Sequence, residues 1–404
     1  MNHEVRLQLA AHPFVYPLMR LLARLGPVVR VPGLGIVVND AAVARTVLTD
    51  ERFRKDGPGS PGDLWTPVLG PSVLLNMEGP GHLALRRRLA PLFAPAHTSA
   101  LVADVLDRPL ADLSARLARG ETVDLVDEMR ALAGAVICRV IGLGEVSEAR
   151  ARELFADGER VVSMVSLRSR RLSDRQVAVA RRVLARIGDI AQAAYDAGDA
   201  STVMGRMRAQ GLSAAEARGA AGAFFLTGTE TVATFVPRLI ALLHDHGHGI
   251  GGPRDRDRSP GRSREQGRAR RADPSSARDL TGDLDRLIEE AMRITTPTPL
   301  MLRSVGAPAR VGRVAARPGD RVLIVTHNCA RAHGPFDPAR EHPPELRRLW
   351  FGAGPHFCIG YPLALAEIRA VASVLLSHRV RVVRRRAARG VLIPTYRHLW
   401  IEAC

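Results

Sequence analysis

The run FGAGPHFCIG, residues 351–360, sets three glycines, a proline and a histidine around one cysteine, Cys358. A thiolate that binds a metal from the hollow of a loop needs neighbouring backbone amides turned toward its sulfur, and glycine permits that approach where side chains collide. The sequence that follows, IGYPLALAEIRAVASVLL, has helical periodicity, so the sulfur is expected at a helix N-terminus, which favours the anion further. One cysteine with no second ligand in its vicinity fits axial thiolate ligation of haem iron. A buried structural cysteine ahead of a helix is the alternative for this stretch taken alone.

Around it lies a chain of 404 residues, 46% apolar and 25% charged, able to bury a sizeable core in one large domain. Aromatic residues make up only 4%, while leucine, valine and alanine recur at helical spacing, which points to a mainly α architecture with minor β structure. No apolar run reaches the roughly 18 to 20 residues of a membrane span, and the start MNHEVRLQLAAHPF lacks the parts of a signal peptide. A cytoplasmic protein without a membrane anchor is expected. Four cysteines, Cys138, Cys329, Cys358 and Cys404, form no CxxC pair and suggest neither a disulfide framework nor a zinc site. The net charge of +17 would suit an acidic partner or nucleic acid. Much of the excess, however, lies in GPRDRDRSPGRSREQGRARR (252–271) and HRVRVVRRRAAR (378–389), read as a solvated loop and an exposed terminal segment. Nucleic-acid binding would interleave basic residues with stacking aromatics, and 252–271 contains none.

Along the chain, VVRVPGLGIVV (28–38) reads as a small hairpin, and Asp40 caps a helix over AAVARTVLTDERF. GPGSPGDLWTPVLGP (57–71) reads as a long loop of the kind that often carries binding residues. Helical spacing then runs from His82 to Ile141 with breaks at Pro91, Pro95 and Gly120, continues over 146–168 and 173–198, and returns from Ala214 to Leu243. Strand-like runs come late, at 310–314, 321–326 and 391–396. Residues 247–265 read as a flexible surface insertion, because their glycine, arginine, aspartate, serine and proline bury too little to offset ordering entropy.

Three further stretches carry candidate chemistry. LTGTETVAT (226–234) sets Gly228, which mid-helix costs about 1 kcal/mol relative to alanine, beside an acid, Glu230, and an alcohol, Thr231. A gap in a helix next to a polar pair is what a dioxygen pocket requires; back-bonded threonines and a solvated glutamate are the plain alternative. In EEAMR (289–293), Glu290 and Arg293 stand one helical turn apart, as many surface ion pairs do. In GHLALRRRLAPLF (81–93), His82 and Arg86 share a helix face, where like charges repel unless an anion lies between them.

Taken together and in this order, these stretches resemble the cytochrome P450 family, over essentially the whole chain apart from the arginine-rich insertion. FGAGPHFCIG matches the family's haem-binding signature at Phe351, Gly352, Gly354, His356, Cys358 and Gly360. The resemblance implies a single domain over 1–404, mainly α with small β-sheets at one side of a triangular, helix-rich prism around haem b, of the soluble bacterial type. Cys358 would be the axial iron ligand. Glu230 and Thr231, with Gly228 beside them, would line the distal pocket and relay protons for O–O cleavage. His82, Arg86, Arg303 in LMLRSV and His356 would hold the haem propionates, with Phe351 opening the ligand loop. Glu290, Arg293 and Arg340 in PFDPAR would form a buried structural network, and Arg87 and Arg88 would be exposed where an electron donor docks.

The implied function is that of a monomeric monooxygenase inserting one oxygen atom from O2 into a hydrophobic small molecule, with tailoring of a secondary metabolite as the leading expectation. Electrons would come from NAD(P)H through a ferredoxin and its reductase. The pocket would be lined by the 57–76 loop, the helices of 155–215, Ala223 to Thr227, Thr296 to Met301 and the turn near 394–396, with Leu74, Met164, Val165, Phe224, Leu300 and Met301 as apolar candidates. A haem-based gas or redox sensor is the rival class, and it has no use for a proton relay. The chain departs from the family pattern in the insertion and in a short connection between Arg340 and Phe351.

Overall fold

The computed structural model describes residues 3–165, 169, 171–247 and 280–404. Apart from Gly247, the insertion expected at 247–265 lies outside the described residues.

Two N-terminal helices, α1 (His3–Ala11) and α2 (Val15–Leu25), lead into the hairpin β1 (Val28–Val31) and β2 (Gly35–Val38). Helix α3 (Ala41–Thr49) starts where Asp40 accepts a hydrogen bond from the Val43 N–H at 2.9 Å. After the short strand β3 (Phe53–Arg54), the segment expected as a loop holds a helix, α4 (Pro61–Leu69). Proline at the first helical position gives up no needed N–H, and Asp63 accepts from the Gly59 N–H at 3.0 Å, so the proline-rich composition starts this helix instead of preventing it.

Next come α5 (Gly79–Leu89), α6 (Pro95–Ala118), strand β4 (Val123–Asp124), α7 (Leu125–Ile141) and α8 (Glu148–Val162). Helices α9 (Asp174–Ala197) and α11 (Ala214–Asp245) both open on full capping boxes, Ser173 with Gln176 and Ser213 with Glu216; the short α10 (Val203–Ala209) lies between them. Helix α11 passes through the core and is buried around most of its circumference, against α7, α8, α9 and the later helices. By length and composition it could cross a membrane, but 78% of its apolar window is buried inside the protein.

The C-terminal half supplies α12 (Leu280–Thr295), β5 (Met301–Val305), β6 (Ala309–Val311), β7 (Val314–Ala316), β8 (Arg321–Ile324) and α13 (Thr326–Arg331). Helix α14 (Tyr361–Ser377) and the pair β9 (Arg381–Ala387) and β10 (Tyr396–Glu402) complete the chain. One sheet runs β1-β2-β8-β5-β3, parallel only between β2 and β8, and places Arg54 opposite Ser304. That register sets the residues after β3 beside Arg303 of β5. The arginine-rich 378–389 segment, expected as an exposed tail, is largely the edge strand β9 against β10, where Arg385 pairs with Asp245 at 2.8 Å and Arg384 lies over the Trp400 ring at 5.1 Å. The run 391–396 enters a strand only at Tyr396.

Candidate active site

Residues Leu349–Phe351 and Gly354–His356 form two short 3-10 turns that lead to α14. Gly352 and Gly354 hold φ of +81° and +63°, and a Cβ at Gly354 would stand 2.8 Å from the Leu48 carbonyl oxygen, so the bend excludes side chains there. Gly360 is different, since a Cβ there would meet the Cys358 sulfur at an ordinary 3.9 Å. The Cys358 N–H donates to the Phe351 carbonyl at 2.9 Å, closing the loop. The N–H groups of Gly360 and Tyr361 act on the sulfur and favour thiolate; burial outweighs them and raises the thiol pKa.

The area Cys358 presents opens onto a cavity of about 540 Å³. The same cavity is bordered by Gly228, Glu230 and Thr231 of α11. Helix α11 is unbroken at Gly228, whose absent side chain would meet Ile137 of α7 at 3.2 Å, so this glycine serves helix packing as well as the cavity wall. Thr231 donates its hydroxyl to the Thr227 carbonyl at 3.3 Å, a long bond of the back-bonded kind. Burial, with the nearby Glu159 carboxylate, pushes the Glu230 carboxyl up to about 8 against the pull of Arg130. No group among the described residues hydrogen-bonds it.

The remaining walls are mostly apolar. Val165, Phe224, Leu300 and Met301 line the cavity, whereas Leu74 and Met164 do not. Leu75 takes the place of Leu74, and Leu392 and Ile393 stand where 394–396 was expected. Helix α7 contributes Ala133, Val136, Ile137 and Val140, which sequence reading missed because an apolar face of a core helix looks the same whether it meets protein or a cavity.

At one end of this space basic groups converge. His82 and Arg303 are almost fully buried, and the His82 and His356 rings lie 4.2 Å apart. Arg86 donates to the Phe357 carbonyl at 2.6 Å, and Arg303 to its neighbour Leu302 at 2.8 Å. His356 hydrogen-bonds Glu78 at 2.8 Å. Burial lowers the pKa of Arg303 to about 10, where it still carries a positive charge short of counter-charge, and that of His82, also pressed by neighbouring cations, to about 4, which leaves its ring neutral. Glu78 and Lys55 belong to this cluster, and neither was evident from the sequence; Glu78 stands four residues before His82, a spacing too common to signal a site.

Comparison with known proteins bears on the same site. No protein-family model matches the chain. The monooxygenase DoxA of Streptomyces sp. (strain C5), a cytochrome P-450, is 29% identical, covering 92% of this chain and 90% of its own. The erythromycin C-12 hydroxylase of Saccharopolyspora erythraea is 26% identical, covering 76% and 73%. Among solved structures, P450BioI with a ligated acyl carrier protein superposes with TM-score 0.76 at 17% identity (97% and 98% covered), and a P450 EryK mutant with erythromycin B at 0.72 and 23% (98% and 97% covered). The chain belongs to the cytochrome P450 family.

The cofactor of this P450 is haem b, and the residues present fit it. The Cys358 sulfur borders one cavity with Lys55, Arg303 and His356, and Arg86 and His82 stand next to these basic groups, as an iron with two propionates requires. Cys358 would hold the iron, and Arg86, Arg303, His82 and His356 lie where the propionates would be bound. Phe351 packs edge-on against Tyr361 at 4.9 Å.

Below this loop the P450 carries a second charged cluster. Arg293 meets Glu290 with two hydrogen bonds of 2.6 and 2.7 Å, and its remaining donors reach the carbonyls of Ala330, Gly334 and Pro335. Arg340, expected as the third member, stays partly exposed with its Nε 3.7 Å from Glu290. The close partner is His342, 2.8 Å from Glu290 and buried, together with the Asp337 N–H at 2.8 Å. Two residues along a short turn decide which side chain reaches inward, and sequence spacing does not fix that. Of the arginines expected at the docking face, Arg87 is exposed, but Arg88 is tied to Glu216 at 2.9 Å.

Proposed function

We propose that this P450 is a single haem domain that inserts one oxygen atom from dioxygen into a hydrophobic small molecule, tailoring a secondary metabolite, with electrons passed from NAD(P)H through a ferredoxin. The observation that carries the reading is that the Cys358 sulfur and the Glu230–Thr231 turn border one largely apolar cavity of about 540 Å³. Relatives named erythromycin C-12 hydroxylase and cyclooctat-9-en-7-ol 5-monooxygenase support the substrate class. The net charge of +17 and exposed Arg87 suit an acidic electron donor.

Thiolate-ligated haem, when bound, supplies the activation of dioxygen. The chain's own part is to exclude water, orient the substrate against apolar walls and deliver protons. Glu230, held protonated at neutral pH, stores a proton at its carboxyl. Thr231 is the next residue on the helix, and its 3.3 Å bond to Thr227 is long enough to be exchanged easily, so the hydroxyl can turn to pass a proton toward the cavity. A sensor would have no need of this arrangement.

The test is the carbon monoxide difference spectrum of the reduced protein beside Cys358→Ala. A strongly red-shifted Soret band in the wild type only is the expected result; a histidine-like band, or no haem, would overturn the reading. Thr231→Ala should keep that band while reducing equivalents leave as hydrogen peroxide, and unchanged coupling to product would remove Thr231 from the relay.

A further inference from the structure

Of the 58 lysine and arginine residues in this chain, only Lys55 is a lysine. It sits at the cavity wall immediately after β3. Arg54 and Asp56 on either side pair with each other at 2.7 Å, so the neighbouring acid is already engaged and Lys55 alternates to the opposite face. Its backbone is pinned at both ends. The N–H donates to the Glu78 carboxylate, and the carbonyl accepts from the Gly62 N–H at 2.7 Å and from the Ser60 hydroxyl. A Cβ at Gly62 would stand 2.5 Å from that carbonyl, so glycine is needed for the approach. The ammonium itself has no hydrogen-bond partner among the described residues.

The charges in its surroundings do not balance. Arg86 and Arg303 are cations, Lys55, which burial lowers to about 7, is a third once an anion faces it, and Glu78 is the carboxylate placed among them. Both Glu78 oxygens are occupied, one by the Lys55 N–H and the other by His356. With the two imidazoles set aside, the cluster is left with two positive charges, equal and opposite to the two propionates of haem b. Lys55 is required for that balance, since without it the arginines and Glu78 would leave only one.

We propose that Lys55 is a further propionate-holding residue of this P450, a compact point charge at the edge of the haem next to β3, carried on a backbone pinned at both ends. The assignment rests on the haem reading above. It goes beyond the four donors legible in the sequence and adds the chain's one lysine to them.

The experiment is haem release from the full-length holoprotein to excess apomyoglobin, for the wild type and Lys55→Met, each loaded with protohaem or with its dimethyl ester. The variant should release protohaem about tenfold faster, the loss expected for one charge-assisted bond, while the two proteins release the uncharged ester at the same rate. Equal release of protohaem would overturn the proposal, as would an acceleration that persists with the ester, which would mean a packing effect. If release is unchanged while binding of a long-chain carboxylic acid weakens, the ammonium serves a substrate carboxylate and the proposal fails. A thiolate-type carbon monoxide band in both proteins keeps these outcomes separate from failure of the haem reading, which would show as its absence in the wild type.

Discussion

Two buried charge clusters lie within this one chain, and they are built on opposite rules. Around Glu290, the carboxylate and the Arg293 guanidinium are matched within the protein: Arg293, His342, the Asp337 N–H and three carbonyls close the network on itself. Around Lys55, Arg86 and Arg303, cations outnumber carboxylates. A closed network holds structure, because removing a member strands its partner in low dielectric. An open one waits for a ligand, and the protein carries the cost of uncompensated charge until the ligand arrives. The sign of the pKa shifts records the difference: Glu290 is held down at about 2 by Arg293 and His342 despite burial, whereas Arg303 is depressed because burial goes unanswered.

The largest effect should come from opening the closed network. Arg293→Ala leaves Glu290 buried without its main partner and should cost about 3 to 5 kcal/mol, read by denaturant unfolding with and without haem; a loss below about 1 kcal/mol would show that the network is not structural. Acid should reach the same site next. A carboxyl whose folded pKa lies below its unfolded value contributes stability that is present above about pH 4.5 and lost as pH falls toward about 2. The wild type should therefore lose up to about 3 kcal/mol over that window, and Glu290→Gln should flatten the profile.

Glu230 should show the reverse. Its folded pKa is raised, so the folded state becomes less stable as pH climbs from about 4.5 through about 8. Glu230→Gln should remove that slope and gain on the order of 2 kcal/mol at pH 8, measured by thermal unfolding across pH.

The open cluster should answer differently from both. Arg303→Met should release haem about tenfold faster, yet leave the unfolding midpoint of the haem-free protein unchanged or higher, because an uncompensated charge has been removed. A lowered haem-free midpoint would place Arg303 with the structural group. Arg340→Ala should be the smallest, below about 1 kcal/mol, since its guanidinium is partly exposed and 3.7 Å from Glu290. A loss as large as that of Arg293→Ala would restore it as a full member.

The sequence alone determined what depends on local chemistry. Capping residues, helical periodicity and glycines at positive φ are properties of a few consecutive positions, which is why α3, α11 and the Cys358 loop are legible in one dimension. The same holds for Glu290 with Arg293, because a three-residue spacing is already a contact on a helix. Only the tertiary structure decided which side chains converge from distant segments. Lys55 follows a two-residue strand whose pairing with β5 brings it to Arg303, nearly 250 positions later. His342 displaces Arg340 because of how a turn is packed, and Leu75 displaces Leu74 because one step along the backbone turns a side chain from cavity to core. A charge excess exists only once its members share a volume, and no stretch of sequence contains that volume.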